Sequence, residues 1–244
     1  MKFIILLFVI LNLLNAQNIK VAAAANISYA IKDIIKAYKE QNPNININLT
    51  ISSSGKLAAQ ILNGAPYDIF LSANEEYPKK LYKNGLSKTP PKVYAKGLLA
   101  LFTTKEFNLK NLNSLLDPKI KKIAVANPKT APYGEATKEA LERVNLYNKL
   151  KPKFIYGESI GQTLIFTLKA ADVGVVAKSL LYSKELSKYQ KRVNYIEIDP
   201  KLYNPIKQAA LLINSSNEAK SFYNFLFSQK AKSIFKKFGY IVDD

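Results

Sequence analysis

Past residue 18 the chain alternates short apolar runs with stretches whose apolar positions recur every three or four residues. Short apolar runs suit buried strands, and the 3.6-residue period suits helices with one buried face. IKVAAA (19–24) reads as a first strand; Ile31, Ile34, Ile35 and Tyr38 mark one face of a helix that starts near Ser28 and that Pro43 stops. INLTIS (47–52) predicts a second strand, and Leu57, Ala58, Ile61 and Leu62 a second helix ending at Asn63-Gly64. DIFLSA (68–73) and residues 75–82 add a third strand and helix, with Asp68 expected to order the Ala65-Pro66 turn. Such a series implies parallel strands joined by right-handed crossovers.

KVYAKGLLALFTT (92–104) is a longer apolar strand, and a second set follows it. The pattern predicts a strand at KIAVA (122–126), helices over 134–144 and 160–170, and a strand at VGVVA (173–177). NPIKQAALLI (204–213) mirrors the earlier long strand, and a helical tail runs from SFYNFLF (221–227) to FGYIV (238–242). There is no low-complexity linker and no short repeat. The expected class is α/β with two lobes, each a mostly parallel sheet flanked by helices, joined by two crossover strands. Residues 17–95 and 206–244 form lobe 1, and lobe 2 (96–205) is inserted into it.

The first sixteen residues, MKFIILLFVILNLLNA, break the rhythm: Lys2 precedes an apolar run from Phe3 to Leu14, and Ala16 precedes polar Gln17-Asn18. That is the layout of a secretory signal peptide cleaved after Ala16; the run is short of the ~20 residues of a membrane span. Removing sixteen of 244 residues leaves 228, enough for one core or two smaller ones. The expected product is exported and soluble, in a periplasm where the cell has an outer membrane. With no cysteine it carries neither disulfides nor a lipoprotein anchor.

Lysine and arginine exceed aspartate and glutamate to give a net charge of +18, or +17 without Lys2, which favours anionic partners. The lysines are spread evenly, without the aromatic interleaving of nucleic-acid sites, so nucleic acid is not expected. Four loops share small or hydroxyl-bearing residues just before a predicted helix: AAAANIS (22–28), SSSGK (52–56), TAPYGEA (130–136) and GESIGQ (157–162). Each aims a helix start, with free N–H groups and the positive dipole end, out of the carboxyl edge of a sheet, where ligands of open α/β folds sit. One such loop is ordinarily a helix cap, with Ser28, Ser54 or Ser159 closing its own helix; four suggest a cage of neutral donors. A fully ionised tetrahedral oxyanion needs donors all round, whereas a protonated one such as phosphate needs an acceptor. The acids in these loops, Glu135 and Glu158, are expected in first helical turns. Sulfate, molybdate or tungstate therefore suit the cage, and no cofactor is called for.

On VAAAANIS (21–28), SSSGKLAAQILNGAPYDIFLSAN (52–74), TAPYGEA (130–136), GESIGQTL (157–164), DVGVVAKS (172–179) and IFKKFGYIV (234–242), the whole mature chain resembles the periplasmic molybdate-binding proteins of ABC transporters. The resemblance implies the two-lobed type II periplasmic-binding-protein fold, capture of molybdate and tungstate, delivery to a membrane permease, and a monomer. It places oxyanion contacts on Asn26, on Ser54 with the Gly55 amide, on Tyr133, and on Ile160 through its N–H, with Ala25 as a further neighbour. Some members carry a tyrosine where Ala177 stands, so that hydroxyl is missing here.

Two other readings compete. A lobe pair of this kind could bind sulfate or another small anion. Ser53 and Lys56 satisfy the S-x-x-K spacing of penicillin-recognising acyl-transfer enzymes. Their companion motifs are absent, since Ala131 rather than glycine follows Lys129-Thr130. With neither histidine nor cysteine, imidazole and thiol catalysis and typical zinc sites are excluded. The expectation is a receptor and not an enzyme.

Overall fold

A computed structural model describes residues 17–243; the expected signal peptide and its cleavage after Ala16 lie outside them. The chain runs β1 (Gln17–Ala24), α1 (Ala30–Lys39), β2 (Ile45–Ser52), α2 (Ser54–Leu62), β3 (Ile69–Ser72), α3 (Glu76–Lys83) and β4 (Lys92–Gly97). It continues with β5 (Leu99–Phe102), β6 (Ile123–Ala126), α4 (Pro132–Arg143), α5 (Tyr147–Leu150), β7 (Phe154–Gly157), α6 (Ile160–Lys169), β8 (Val173–Ala177) and β9 (Tyr195–Glu197). β10 (Ile206–Leu212), α7 (Asn217–Phe225) and α8 (Gln229–Lys237) complete it.

Two five-stranded sheets result, ordered β2-β1-β3-β10-β4 and β7-β6-β8-β5-β9. In each, four strands run the same way and one, β10 or β5, runs against both of its neighbours, so the sheets are mixed but mostly parallel, as expected. The cause is the crossing: β10 returns from the second lobe and lies antiparallel between β3 and the outgoing β4. The long strand expected over 92–104 is two strands, β4 in one sheet and β5 in the other, with Leu98 between them.

Period-two alternation divides β1 between two apolar layers. Val21 and Ala23 pack with Ile31, Ile34, Phe222 and Phe235, while Ala22 packs with Leu57, Ile61 and Phe70. The third core holds Leu101, Val125, Leu141, Leu164 and Val175 of the second lobe. Leu62, expected on the buried face of α2, is instead exposed, about 100° round the helix from Ile61. α1 begins two residues later than expected, because Ala25–Ile27 form a tight 3-10 turn first. β7 and β9, each only three or four residues long, have no counterpart in the apolar pattern.

Asp68, expected to order the Ala65-Pro66 turn, instead ties β1 to the end of β10: its carboxylate accepts from the Lys20 N–H at 2.7 Å and from Asn214 Nδ2 at 2.8 Å. The segment after α8 is not helical. Ile241 pairs with Lys96 of β4, with N–H···O distances of 2.7 and 3.0 Å, and Asp243 reaches Lys96 Nζ at 2.9 Å.

Candidate functional site

The four loops singled out by composition converge. Ala24, Ala25, Asn26, Ser53, Ser54, Ala73, Ala131, Pro132, Tyr133 and Ile160 line a near-closed cavity of about 10 Å³ between the lobes. No charged side chain is in that lining. Three helices, α2, α4 and α6, begin at it. The N–H groups of Ser54, Tyr133 and Ile160 have no partner among the described residues, as befits first-turn amides.

Local sequence explains each start. Ser53 is extended (φ −72°, ψ 149°) and leads directly into α2. Pro132 occupies the first position of α4, where its missing N–H costs nothing and its fixed φ helps. Ser159 caps α6 by accepting from the Gln162 N–H at 3.2 Å, which leaves the Ile160 N–H to the cavity. Glu135 lies in the first turn of α4 as expected, whereas Glu158 precedes the cap of α6.

Asn26, Ser54, Tyr133, Ile160 and Ala25 thus meet at one place. Gly55 and Ala177 do not line it. The Gly55 N–H donates to the Thr130 carbonyl of the other lobe at 3.0 Å and is spent on holding the lobes together. Ala177 is fully buried in β8, paired with Leu99.

Side chains divide the work differently from the sequence reading. Ser54 Oγ accepts from the Ala73 N–H at 2.9 Å, whereas Ser53 Oγ is buried without a partner. The Tyr133 hydroxyl points away from the cavity to Gln208 Nε2, at 3.3 Å, and packs on Gly97, where a Cβ would lie only 2.0 Å from it. Tyr133 therefore offers the cavity its amide. Asn26 Nδ2 donates to Gln208 Oε1 (2.7 Å) and to the Tyr240 hydroxyl (2.9 Å), which in turn donates to the Asn26 carbonyl (2.9 Å). Burial pushes both tyrosine hydroxyls well above their ordinary values, so this network is uncharged.

Sequence reasoning missed Ser53 as a polar wall and Gln208 altogether. An adjacent-serine ambiguity hid the first; a glutamine inside an apolar strand was the available signal for the second. Lys56 does not serve Ser53 as a base: its Nζ pairs with Glu158 across the lobes, and Ser53 Oγ has no hydrogen-bond partner among the described residues. A larger recess of about 210 Å³ adjoins the cavity at Pro132, but Glu75, Glu76, Glu135 and Glu139 line it with Lys207, which suits an anion poorly.

A receptor class follows from two lobes closing on a neutral donor cage, and it agrees with the family comparison. The profile of the bacterial extracellular solute-binding proteins matches residues 19–241, and the chain belongs to that family. It is similar to the molybdate-binding protein ModA of Rhodobacter capsulatus, 32% identical over 93% of this chain and 90% of the relative. Among solved structures, the periplasmic molybdate-binding protein of Azotobacter vinelandii superposes with a TM-score of 0.85 at 29% identity, over 93% of this chain and 100% of that one. The sulfate-binding protein SubI of Mycobacterium tuberculosis shares the fold, with a TM-score of 0.77 at 15% identity over 93% and 88% of the two chains.

Proposed function

We propose that this protein is an exported receptor that captures molybdate, and tungstate with it, for a membrane permease of an ABC transporter. The observation that carries this reading is the uncharged lining of a cavity faced by three helix starts from two lobes. A buried dianion can be balanced there by amide dipoles, without an ion pair. Molybdate rather than sulfate is favoured by the relatives named for molybdate, which are 32% and 29% identical over 93% of this chain.

Ser53, Ser54, Asn26, Tyr133 and Ile160 would replace the hydration shell, through hydroxyls, the Asn26 side chain, and amides. Tyr133 makes up for the hydroxyl missing at Ala177 only through its N–H. The cavity holds about a single water, less than a tetrahedral oxyanion occupies. Binding therefore parts its walls slightly from the arrangement described, by hinging at 92–97 and 203–207, with 17–95 plus 206–244 moving against 96–205. The receptor acts as a monomer in the periplasm, delivered there by residues 1–16.

Calorimetric titration of the mature chain with molybdate, tungstate, sulfate and phosphate tests the reading. Tight binding of the two metal oxyanions, with a matching rise in melting temperature, is expected. Tight sulfate binding without molybdate binding would refute it.

A further inference from the structure

Gln208 lies where β10 crosses between the lobes, and it is 0% exposed. The register of β10 against β4 shifts between Gln208 and Ala209, a bulge of the kind that re-aims a side chain. Its amide joins one site residue from each lobe. Oε1 accepts from Asn26 Nδ2 at 2.7 Å, and Nε2 donates to the Tyr133 hydroxyl at 3.3 Å and to the Ile206 carbonyl at 3.4 Å.

The direction of these bonds leaves one atom over. Asn26 Nδ2 spends both hydrogens, on Gln208 and on Tyr240, and Asn26 Oδ1 is buried with no partner among the described residues. Asn26 lines the cavity, so the arm of its amide left for a ligand is a carbonyl oxygen. That arm repels an anion, and an unmet buried acceptor is costly when the lobes close on nothing.

The same heavy atoms support the opposite direction, because the two ends of an amide differ little in shape. With both amides turned, Gln208 Nε2 donates to Asn26 Oδ1, the Tyr133 hydroxyl donates to Gln208 Oε1, and Asn26 Nδ2 is left for the ligand. The Tyr240 proton is free to follow, since the Asn26 carbonyl also accepts from Ser179 Oγ at 3.0 Å.

We propose that Gln208 is a positioning residue whose amide turns together with that of Asn26 as a tetrahedral oxyanion enters, so that the anion meets an N–H instead of a C=O. This rests on the reading of the cavity as an oxyanion site. The pair makes closure conditional: empty, it strands the Asn26 acceptor; filled, Asn26 Oδ1 is met by Gln208 and its Nδ2 by the anion, at the loss of the long 3.4 Å contact from Gln208 Nε2 to the Ile206 carbonyl.

The test compares the mature chain with Gln208→Glu and Gln208→Met, titrated with molybdate at pH 8 and pH 5.5. The ionised carboxylate that Gln208→Glu introduces only accepts, so it fixes Asn26 in the acceptor-outward form. Affinity is expected to fall about tenfold or more at pH 8, the worth of a charge-assisted hydrogen bond. Measured against the unaltered protein at the same pH, it should recover severalfold at pH 5.5, where a buried carboxyl raised by desolvation regains a proton to donate. The titratable groups touching Gln208 and Asn26 are Tyr133 and Tyr240, both kept neutral by burial. Gln208→Met should lose affinity by the same factor relative to the unaltered protein at both pH values. Should either variant fail to fold, the side-chain amide NMR signals of Asn26 and Gln208 in the unaltered protein decide, and they are expected to shift together on molybdate addition. Binding of Gln208→Glu within twofold of the unaltered protein at pH 8, a loss identical to that of Gln208→Met at both pH values, or unmoved amide signals at saturation would overturn the proposal. Failure of the unaltered protein to bind any oxyanion overturns the reading of the cavity instead.

Discussion

Ser53 and Ser54 are neighbours with opposite duties. Ser54 Oγ is the partner of the Ala73 amide at the end of β3, while Ser53 Oγ is unmet inside the cavity wall. Ser54→Ala strands a buried N–H and is expected to cost about 1–3 kcal/mol of stability, read by denaturant unfolding. Ser53→Ala should leave the unliganded melting temperature unchanged and weaken molybdate by about tenfold, read by calorimetry. The reverse pattern would exchange their roles. Asp172 is a structural counterpart. Burial works against its charge, but Lys105 and the Lys121 and Lys122 amides outweigh this and hold the carboxyl below its ordinary value. A depressed carboxyl contributes stability above its unfolded pKa and loses it as pH falls through the folded one. Asp172→Asn should therefore lower the melting temperature at pH 7 but converge with the unaltered protein as the pH drops below the carboxylate range.

Between elements, the lobes grip each other directly at the mouth of the cleft. The Gly55 amide at the start of α2 meets Thr130 before α4, Lys56 pairs with Glu158 before α6, and the Tyr77 hydroxyl donates to the Lys129 carbonyl at 3.4 Å. A Cβ at Gly55 would lie 2.8 Å from the Tyr77 hydroxyl and 2.9 Å from the Thr130 carbonyl oxygen. The tyrosine can swing aside; the main-chain oxygen of the opposite lobe cannot. Gly55→Ala is thus expected to hold the lobes apart and speed molybdate release about tenfold in stopped-flow chase, with little change in unliganded stability. Lys56→Ala should alter release by less than about fivefold and only at low salt, because the pair is exposed. Elements and site were legible in the sequence to different degrees. The helices and long strands were readable, since one face of each is apolar over several turns or residues. The loop cage was readable too, because small residues before a helix expose first-turn amides wherever they occur. The duties of Gly55, Ser53 and Gln208 were not, because each depends on an atom contributed by another element or by the other lobe.

At the scale of the molecule, attraction on one flank of the cleft is set against repulsion on the other. Burial raises the Glu135 carboxyl, as do Glu76 from the facing lobe and Glu139, with Lys138 opposing. A raised carboxyl favours the state that protonates it, an advantage present at low pH and lost as pH rises through the raised value. Closure should thus ease as the solution is acidified, and molybdate affinity should rise severalfold between pH 8 and pH 5.5. Glu135→Gln is expected to bind more tightly at pH 8 and to flatten that profile; an unchanged slope would remove Glu135 from the balance. The net charge of +18 acts further out, hastening anion encounter in a manner that added salt suppresses. The segment around Ile241, laced to β4, rides on the strand that carries one lobe over to the other. Since the chain holds no thiol of its own, a single cysteine placed at Asp243 would accept a fluorophore cleanly. The dye would sit beside the pivot and convert anion capture into an optical signal, making the protein a ready biosensor scaffold.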